Sequence, residues 1–227
     1  PLSTYVEPSK RNAFAQNIFS YITRDRFDFG IVNEGNYDFF STIFEYLISD
    51  YNVASGKYAE YFTPQALSSA IAKILVHMSP IKDTIYDIYD PSAGSGSLVL
   101  HLANELGNGK FGNKARVYTQ DISQKSSRFL RINMLLNGLK ESLENIIEGD
   151  TLVDPAHFVI KGDSTSGLKK FDFITSNPPF KTDFSSTRNT IETNWESTDR
   201  FFAGVPTIPN KKKESMAIYL LFIQHIL

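Results

Sequence analysis

"TIYDIYDPSAGSGSLVLHLANEL", residues 84–106, changes character half-way along. Up to Pro91 it is a short run rich in Ile and Tyr, closed by an aspartate and a proline, the pattern of a buried strand. From Ser97 onward, "SLVLHLANEL" reads as a helix. Between the two lie Gly94 and Gly96, which let a backbone turn sharply and approach a ligand closely. Strand, glycine turn and helix together form the opening unit of an α/β sheet.

The same alternation continues downstream. "ARVYTQDI" (115–122) is a strand, and "SQKSSRFLRINMLLNG" (123–138) is a helix ending on Gly138. "NIIEGD" (145–150) and "FDFITSN" (171–177) are a third and a fourth strand. Short apolar strands alternating with helices predict a doubly wound, mostly parallel sheet with helices on both faces, whose ligands sit at the carboxyl ends of the strands.

Upstream the pattern is helical. Residues 1–55 are expected to form a helical N-terminal region without strands, and residues 56–227 the main domain. "YDFFSTIFEYLISDYN" (37–52) carries Phe39, Phe40, Ile43, Phe44, Leu47 and Ile48 at helical spacing. In "TPQALSSAIAKILVHM" (63–78), Thr63 is the expected N-cap and Pro64 the first helical residue, with Leu67, Ile71, Ile74 and Leu75 as the buried stripe. Residues 181–213 are polar, with Trp195, Phe201 and Phe202 interspersed, and read as a long, poorly ordered functional loop. The apolar helix "ESMAIYLLFIQHIL" (214–227) is followed by no strand, so the C-terminal part of the sheet is expected to be missing.

Composition narrows the function. With 41% hydrophobic and 21% charged residues, the 227-residue chain is typical of a globular protein. The absence of cysteine removes disulfides and thiolate metal sites and favours a cytoplasmic location. No apolar run is long enough for a membrane span, and no signal-peptide pattern opens the chain. His77, His101, His157 and His225 show no metal-ligand spacing, so no metal is expected. A net charge of −2 means that any nucleic acid must be held largely by a local patch or by another subunit. Lys211, Lys212 and Lys213 read first as a solvated helix start.

The strand ends carry the chemistry. The dinucleotide pattern G-x-G-x-x-G would need glycine at position 99, where Val99 stands, which argues against a pyrophosphate ligand. Asp90, Asp121 and Asp150 close three successive strands. Each alone reads as a cap of the turn that follows. Three in succession fit better an adenosine-containing ligand without phosphates, with Asp121 on the ribose hydroxyls and Asp150 on the adenine amino group. The fourth strand runs into Asn177, Pro178, Pro179 and Phe180; the prolines end the strand and present an amide, an unpaired carbonyl and an aromatic ring together.

"DPSAGSGSL", "QDIS", "GDTL" and "NPPF", in this order and preceded by "YFTP", resemble the motifs of the modification subunit of type I restriction–modification systems. These are S-adenosyl-L-methionine (AdoMet)-dependent, adenine-N6 DNA methyltransferases, and the resemblance extends over residues 10–227. It implies a Rossmann-like methyltransferase sheet, a specificity subunit and a restriction subunit as partners, and a second copy of the chain in the complex. It also implies that Glu60, Tyr61, Phe62, Thr63, Pro64 and Gln65 close over the methionine end of AdoMet, with Thr63 near its carboxylate. Ser95, Gly96 and Ser97, with Gly94, would line methionine and sugar; Asp90 would sit beside them; Asp121 and Ile122 would take the ribose side and Asp150, Thr151 and Leu152 the adenine side. Asp121 stands where this family often has glutamate.

The resemblance also answers what the fourth strand's end is for. An exocyclic amino nitrogen is a poor nucleophile until acceptors bond its N–H groups and localise its lone pair. Asn177 and the Pro178 carbonyl are such acceptors, and Phe180 offers a stacking face to a flipped adenine. The alternatives are the same chemistry on a glutamine side-chain amide or an RNA base, and a non-catalytic assembly or DNA-binding subunit.

Overall fold

The computed structural model describes residues 7–22, 63–79, 83–107, 114–161, 164–195 and 199–227. The chain divides into two compact units, Pro1–Phe40 and Ser41–Leu227. In the first, a 3-10 turn (Pro8–Lys10) leads into helix α1 (Arg11–Ile22). The apolar helix expected over 37–52 lies outside the described residues.

The second unit opens with α2 (Gln65–Met78), followed by β1 (Tyr86–Asp90), α3 (Ser97–Leu106), β2 (Ala115–Asp121), α4 (Gln124–Leu136) and β3 (Ile146–Glu148). Then come β4 (Phe158–Lys161), β5 (Ser164–Leu168), β6 (Phe173–Ile174), α5 (Ser185–Trp195) and α6 (Tyr219–Ile226). Strands β3, β2, β1 and β6 form, in that order, one sheet in which every pair is parallel. Ile88 of β1 pairs with Val117 of β2 and Phe173 of β6, which places the fully buried Ile88 at the sheet's centre. Right-handed crossovers from β1 to β2 and from β2 to β3 run in one direction along the sheet, so α3 and α4 share a face. Tyr89, one residue on from Ile88, points the opposite way. There its ring stacks on Phe171 at 4.5 Å and its hydroxyl meets His225 of α6 at 3.2 Å. Helices thus cover both faces, as expected.

Three expectations are corrected. Thr63 does not cap α2: the helix starts at Gln65, and the amides of Leu67 and Ser68 donate to the Pro64 carbonyl at 3.0 Å each. Its covered face matches the predicted stripe only in part: Ile71 and Leu75 are half-buried. Leu67 and Ile74 are more than half exposed, whereas Ser68 and Ala72 are buried and the Ser68 hydroxyl lies 3.0 Å from that of Ser97 on α3. Small residues let the two helices approach closely, and that packing overrides the hydrophobic periodicity. Third, the segment 181–213 is not a featureless loop. It contains α5, and Phe184, Ile191 and Phe201 join Leu152, Met216, Ile218, Leu221 and Phe222 in a core cluster. The sequence reading also passed over the antiparallel hairpin β4–β5, in which Phe158 pairs with Leu168.

Candidate functional site

The end of β1 carries a buried carboxylate. Asp90 is only 1% exposed, and its Oδ1 accepts from the Ser92 amide at 2.9 Å and the Ser92 hydroxyl at 3.4 Å. Burial pushes its pKa up to about 7, nearby Asp121 adds to this, and the Ser92 bonds oppose it. The Ser92 hydroxyl also lies 2.7 Å from that of Ser176, immediately before Asn177. The turn after β1 is therefore tied to the end of β6.

Asp121, at the end of β2, holds the glycine turn in shape. Its Oδ2 accepts from the Gly94 amide and its Oδ1 from the Ser123 amide, both at 2.8 Å. Burial raises its pKa, against the pull of those two bonds. Gly94 and Gly96 have φ of 54° and 87°, the left-handed region that glycine adopts freely. At Gly96 a side chain is also sterically barred, since a Cβ would stand 2.1 Å from Leu130 Cδ1 of α4.

Two residues beyond β3, Asp150 Oδ1 accepts from the amides of Leu152 at 2.9 Å and Val153 at 3.3 Å. The Thr151 hydroxyl donates to the Pro91 carbonyl at 2.7 Å. From behind, Arg200 donates to the carbonyls of Thr151 and Leu152 at 2.6 and 2.9 Å. Its guanidinium is buried beside the Trp195 ring, 4.2 Å from the centroid. Burial lowers the pKa of Arg200 to about 10 and that of its neighbour His225 to about 3, so His225 stays neutral and takes the Arg200 Nε–H at Nδ1, 3.2 Å away. All three aspartates thus cap turns, as the simpler reading of each required. Each oxygen has two lone pairs, and the capping bonds leave acceptor capacity on the ligand side.

At the edge of the sheet, β6 ends as the Thr175 amide donates to the Tyr89 carbonyl at 2.9 Å, and the two prolines carry the chain away from the sheet. Asn177 is exposed, and its Nδ2 donates to Thr63 Oγ1 at 3.1 Å. Phe180 is 67% exposed, its ring 6.4 Å from that of Tyr219.

These strand ends open into one cavity of about 620 Å³. Of the residues singled out in the sequence, it is lined by Thr63, Asp90, Gly94, Ser95, Ser97, Asp121, Ile122, Asp150, Thr151, Leu152 and the whole run from Asn177 to Phe180. Gly96, Pro64 and Gln65 are not on its wall, and Glu60, Tyr61 and Phe62 lie outside the described residues. The cavity adds Ser92, Lys181, Ile218 and Phe222, which the sequence reading missed. Ser92 sat inside a quoted motif; the two apolar residues flanking and opening α6 carried no local signal. Among the described residues no group of three or more His, Cys, Asp or Glu is placed to hold a metal ion. None of their helices is long and apolar enough to cross a membrane.

The family model for N-6 DNA methylases matches residues 35–227, from before the glycine turn to the last residue. The chain belongs to that family. It is 33% identical over 194 residues to the methylase subunit of the type I restriction enzyme MpnII of Mycoplasma pneumoniae, covering 84% of this chain and 33% of the relative. The HindI methylase subunit of Haemophilus influenzae is 26% identical over 166 residues, covering 71% of this chain and 33% of the relative. This N-6 DNA methylase chain therefore spans about a third of the length of these curated relatives. A type I restriction–modification methyltransferase subunit from Streptococcus thermophilus shares the fold, with a TM-score of 0.56 and 23% identity over 80% of this chain and 34% of that one.

Proposed function

We propose that this chain is the catalytic part of a type I modification subunit, which transfers a methyl group from AdoMet to N6 of a flipped-out adenine in DNA. One observation carries the reading: the carboxylates and glycine turn of β1–β3 and the Asn-Pro-Pro-Phe run after β6 line a single cavity. A donor held by the first set and a base held by the second would meet there. The specificity subunit, and with it much of the DNA contact, belongs to the same proposal, consistent with a net charge of −2.

The residues present fit AdoMet. A fully buried carboxylate with a raised pKa is the natural partner of a ligand ammonium, so Asp90 suits the methionine amino group. Asp121 and Asp150 would accept from the ribose and the adenine amino group, and Ile122, 72% exposed on the cavity wall, offers an apolar face to a flat ring. When bound, AdoMet supplies a methyl group on a sulfonium that is already an excellent leaving group.

This chain's residues then need only to position and polarise. Asn177 Oδ1 and the Pro178 carbonyl accept from the two N–H groups of the target amine, which localises the nitrogen lone pair. The proline pair makes the direction of that carbonyl rigid. Unstacking the base costs a few kcal/mol. Phe180, exposed at the cavity, returns ~1–3 kcal/mol by stacking. Alignment of the reacting atoms supplies most of the remaining acceleration.

The test is transfer of label from AdoMet to DNA by the full-length chain co-expressed with its partner subunits, with the product digested to nucleosides. Labelled N6-methyladenine is the expected product. Label in protein glutamine or in RNA would move the reading to those substrates, and no transfer despite AdoMet binding would leave an assembly subunit.

A further inference from the structure

Asn177 has an oxygen end and an NH2 end of nearly equal shape, and the proposed chemistry works with only one of them. If the NH2 end faced the target, two donors would oppose each other and the nitrogen lone pair would stay delocalised. Asn177 is exposed, so packing does not choose between the two orientations. The hydrogen bond found on its side chain runs from Nδ2 to Thr63 Oγ1, at 3.1 Å across 114 residues of sequence. That bond turns the oxygen away from Thr63 and frees it to accept.

We propose that Thr63 is a positioning residue that sets the orientation of the Asn177 amide, and that it does so when an anionic group in the cavity takes its hydroxyl proton. A hydroxyl alone is ambivalent: it can accept from the NH2 end or donate to the oxygen end. It becomes an obligate acceptor only when its own proton is committed elsewhere. Thr63 lines the same cavity as Asp90, Ser95 and Ser97. A ligand carboxylate there would accept from the Thr63 hydroxyl. Oγ1 would then receive Nδ2–H, and Asn177 Oδ1 would receive the target N–H. A ligand's presence is thereby read out, through one hydroxyl, as the orientation of the catalytic amide. Thr63 is available for this because its side chain makes no capping bond to α2, which starts at Gln65.

This proposal rests on the reading of the site as an adenine-N6 methyltransferase, and its test separates the two. Thr63→Val keeps the shape and removes the hydroxyl; Thr63→Ser restores the hydroxyl without the methyl. Both are made in the full-length chain with its partner subunits, and circular dichroism and Tm are followed alongside. In steady state at saturating AdoMet, Thr63→Val should lower kcat by about ten- to a hundredfold, the scale of a misplaced reacting group. A rise in KM for AdoMet would accompany it, and Thr63→Ser should recover kcat. The second readout is binding in the presence of S-adenosylhomocysteine to duplexes bearing adenine or purine at the mapped target, each opposite an abasic site so that pairing energies cancel. The wild-type preference for adenine over purine, which lacks the amino group, should shrink in Thr63→Val to the share contributed by the Pro178 carbonyl and return in full in Thr63→Ser. A rise in KM with kcat unchanged would make Thr63 a cofactor contact only and overturn the proposal, as would an adenine preference undiminished in Thr63→Val. If wild type itself labels no adenine, the reading of the site fails first and the role of Thr63 fails with it.

Discussion

Asp90→Asn separates what a buried carboxylate does for a ligand from what it does to the fold. Asp90 is 1% exposed, and burial raises its pKa from 3.8 to about 7. The folded protein therefore keeps this proton between about pH 4 and 7, where the unfolded chain has released it. A raised carboxyl pKa stabilises the fold fully below the unfolded value, and that contribution is lost as pH climbs through the folded value. A carboxyl raised from 3.8 to about 7 corresponds to about 4 kcal/mol lost by pH 8. Asparagine carries no charge and keeps an oxygen for the Ser92 amide, so it escapes most of that loss. Without AdoMet, Asp90→Asn should exceed wild type at pH 8 by up to about 4 kcal/mol, or roughly ten degrees in Tm for a domain of this size. The gap should close as pH falls to about 4. Adding AdoMet should reverse the order at pH 8, because only the carboxylate gains an ammonium partner. Scanning calorimetry of both proteins from pH 4 to 8, with and without AdoMet, measures all of this. A variant less stable than wild type by the same margin at every pH would mean that the Asp90 charge is already compensated in the free protein, and the ammonium assignment would lose its basis.

Four further substitutions, at three positions, bear on the cavity and the glycine turn beside it. Asn177→Ala should reduce methyl transfer by about a hundredfold or more, while calorimetric AdoMet affinity stays within a few-fold of wild type; equal loss of both would remove Asn177 from the target side. Asp121→Ala should weaken AdoMet binding and also cost about 1–3 kcal/mol of stability, because the amides of Gly94 and Ser123 lose their acceptor. Asp121→Asn, keeping an amide oxygen, should recover part of the stability but not the ribose contact, as denaturant melts beside AdoMet titrations would reveal. Gly96→Ala forces a Cβ to 2.1 Å from Leu130 at a φ of 87°, and should cost about 1–3 kcal/mol in Tm measurements even without ligand; an unchanged Tm would mean that the turn yields easily.

The sheet and the cavity wall were legible because their chemistry restricts the residue types. A left-handed turn beside a close-packed helix asks for glycine at position 96, and a strand that must stop while exposing a carbonyl asks for proline at 178 and 179. Carboxylates at strand ends are legible for the same reason, whether they cap, bind or do both. Apolar periodicity was a poorer guide. It selected Leu67 and Ile74 for the interior of α2, where Ser68 and Ala72 make the contact. It also passed over α5, which buries a single residue, Ile191, and so has no stripe to show. The hairpin β4–β5 was hidden by Ser164, Ser166 and Gly167 of β5, which carry little strand propensity.

What stayed hidden longest are the contacts that hold the functional groups in place. Arg200 grips the carbonyl of Leu152 across 48 residues of sequence, and Thr63 meets Asn177 across 114. Neither residue type is dictated by the task, since many donors can hold a carbonyl and several side chains can orient an amide. A role of that kind leaves no pattern in a single sequence and becomes visible only when the chain folds. Arg200 shows the consequence: it lies in a stretch that reads as loop, yet its guanidinium is buried and bonded to the turn that carries Asp150. The segment after Phe180 is therefore tied through a buried cation to the turn that carries Asp150, one of the residues proposed to hold adenosine.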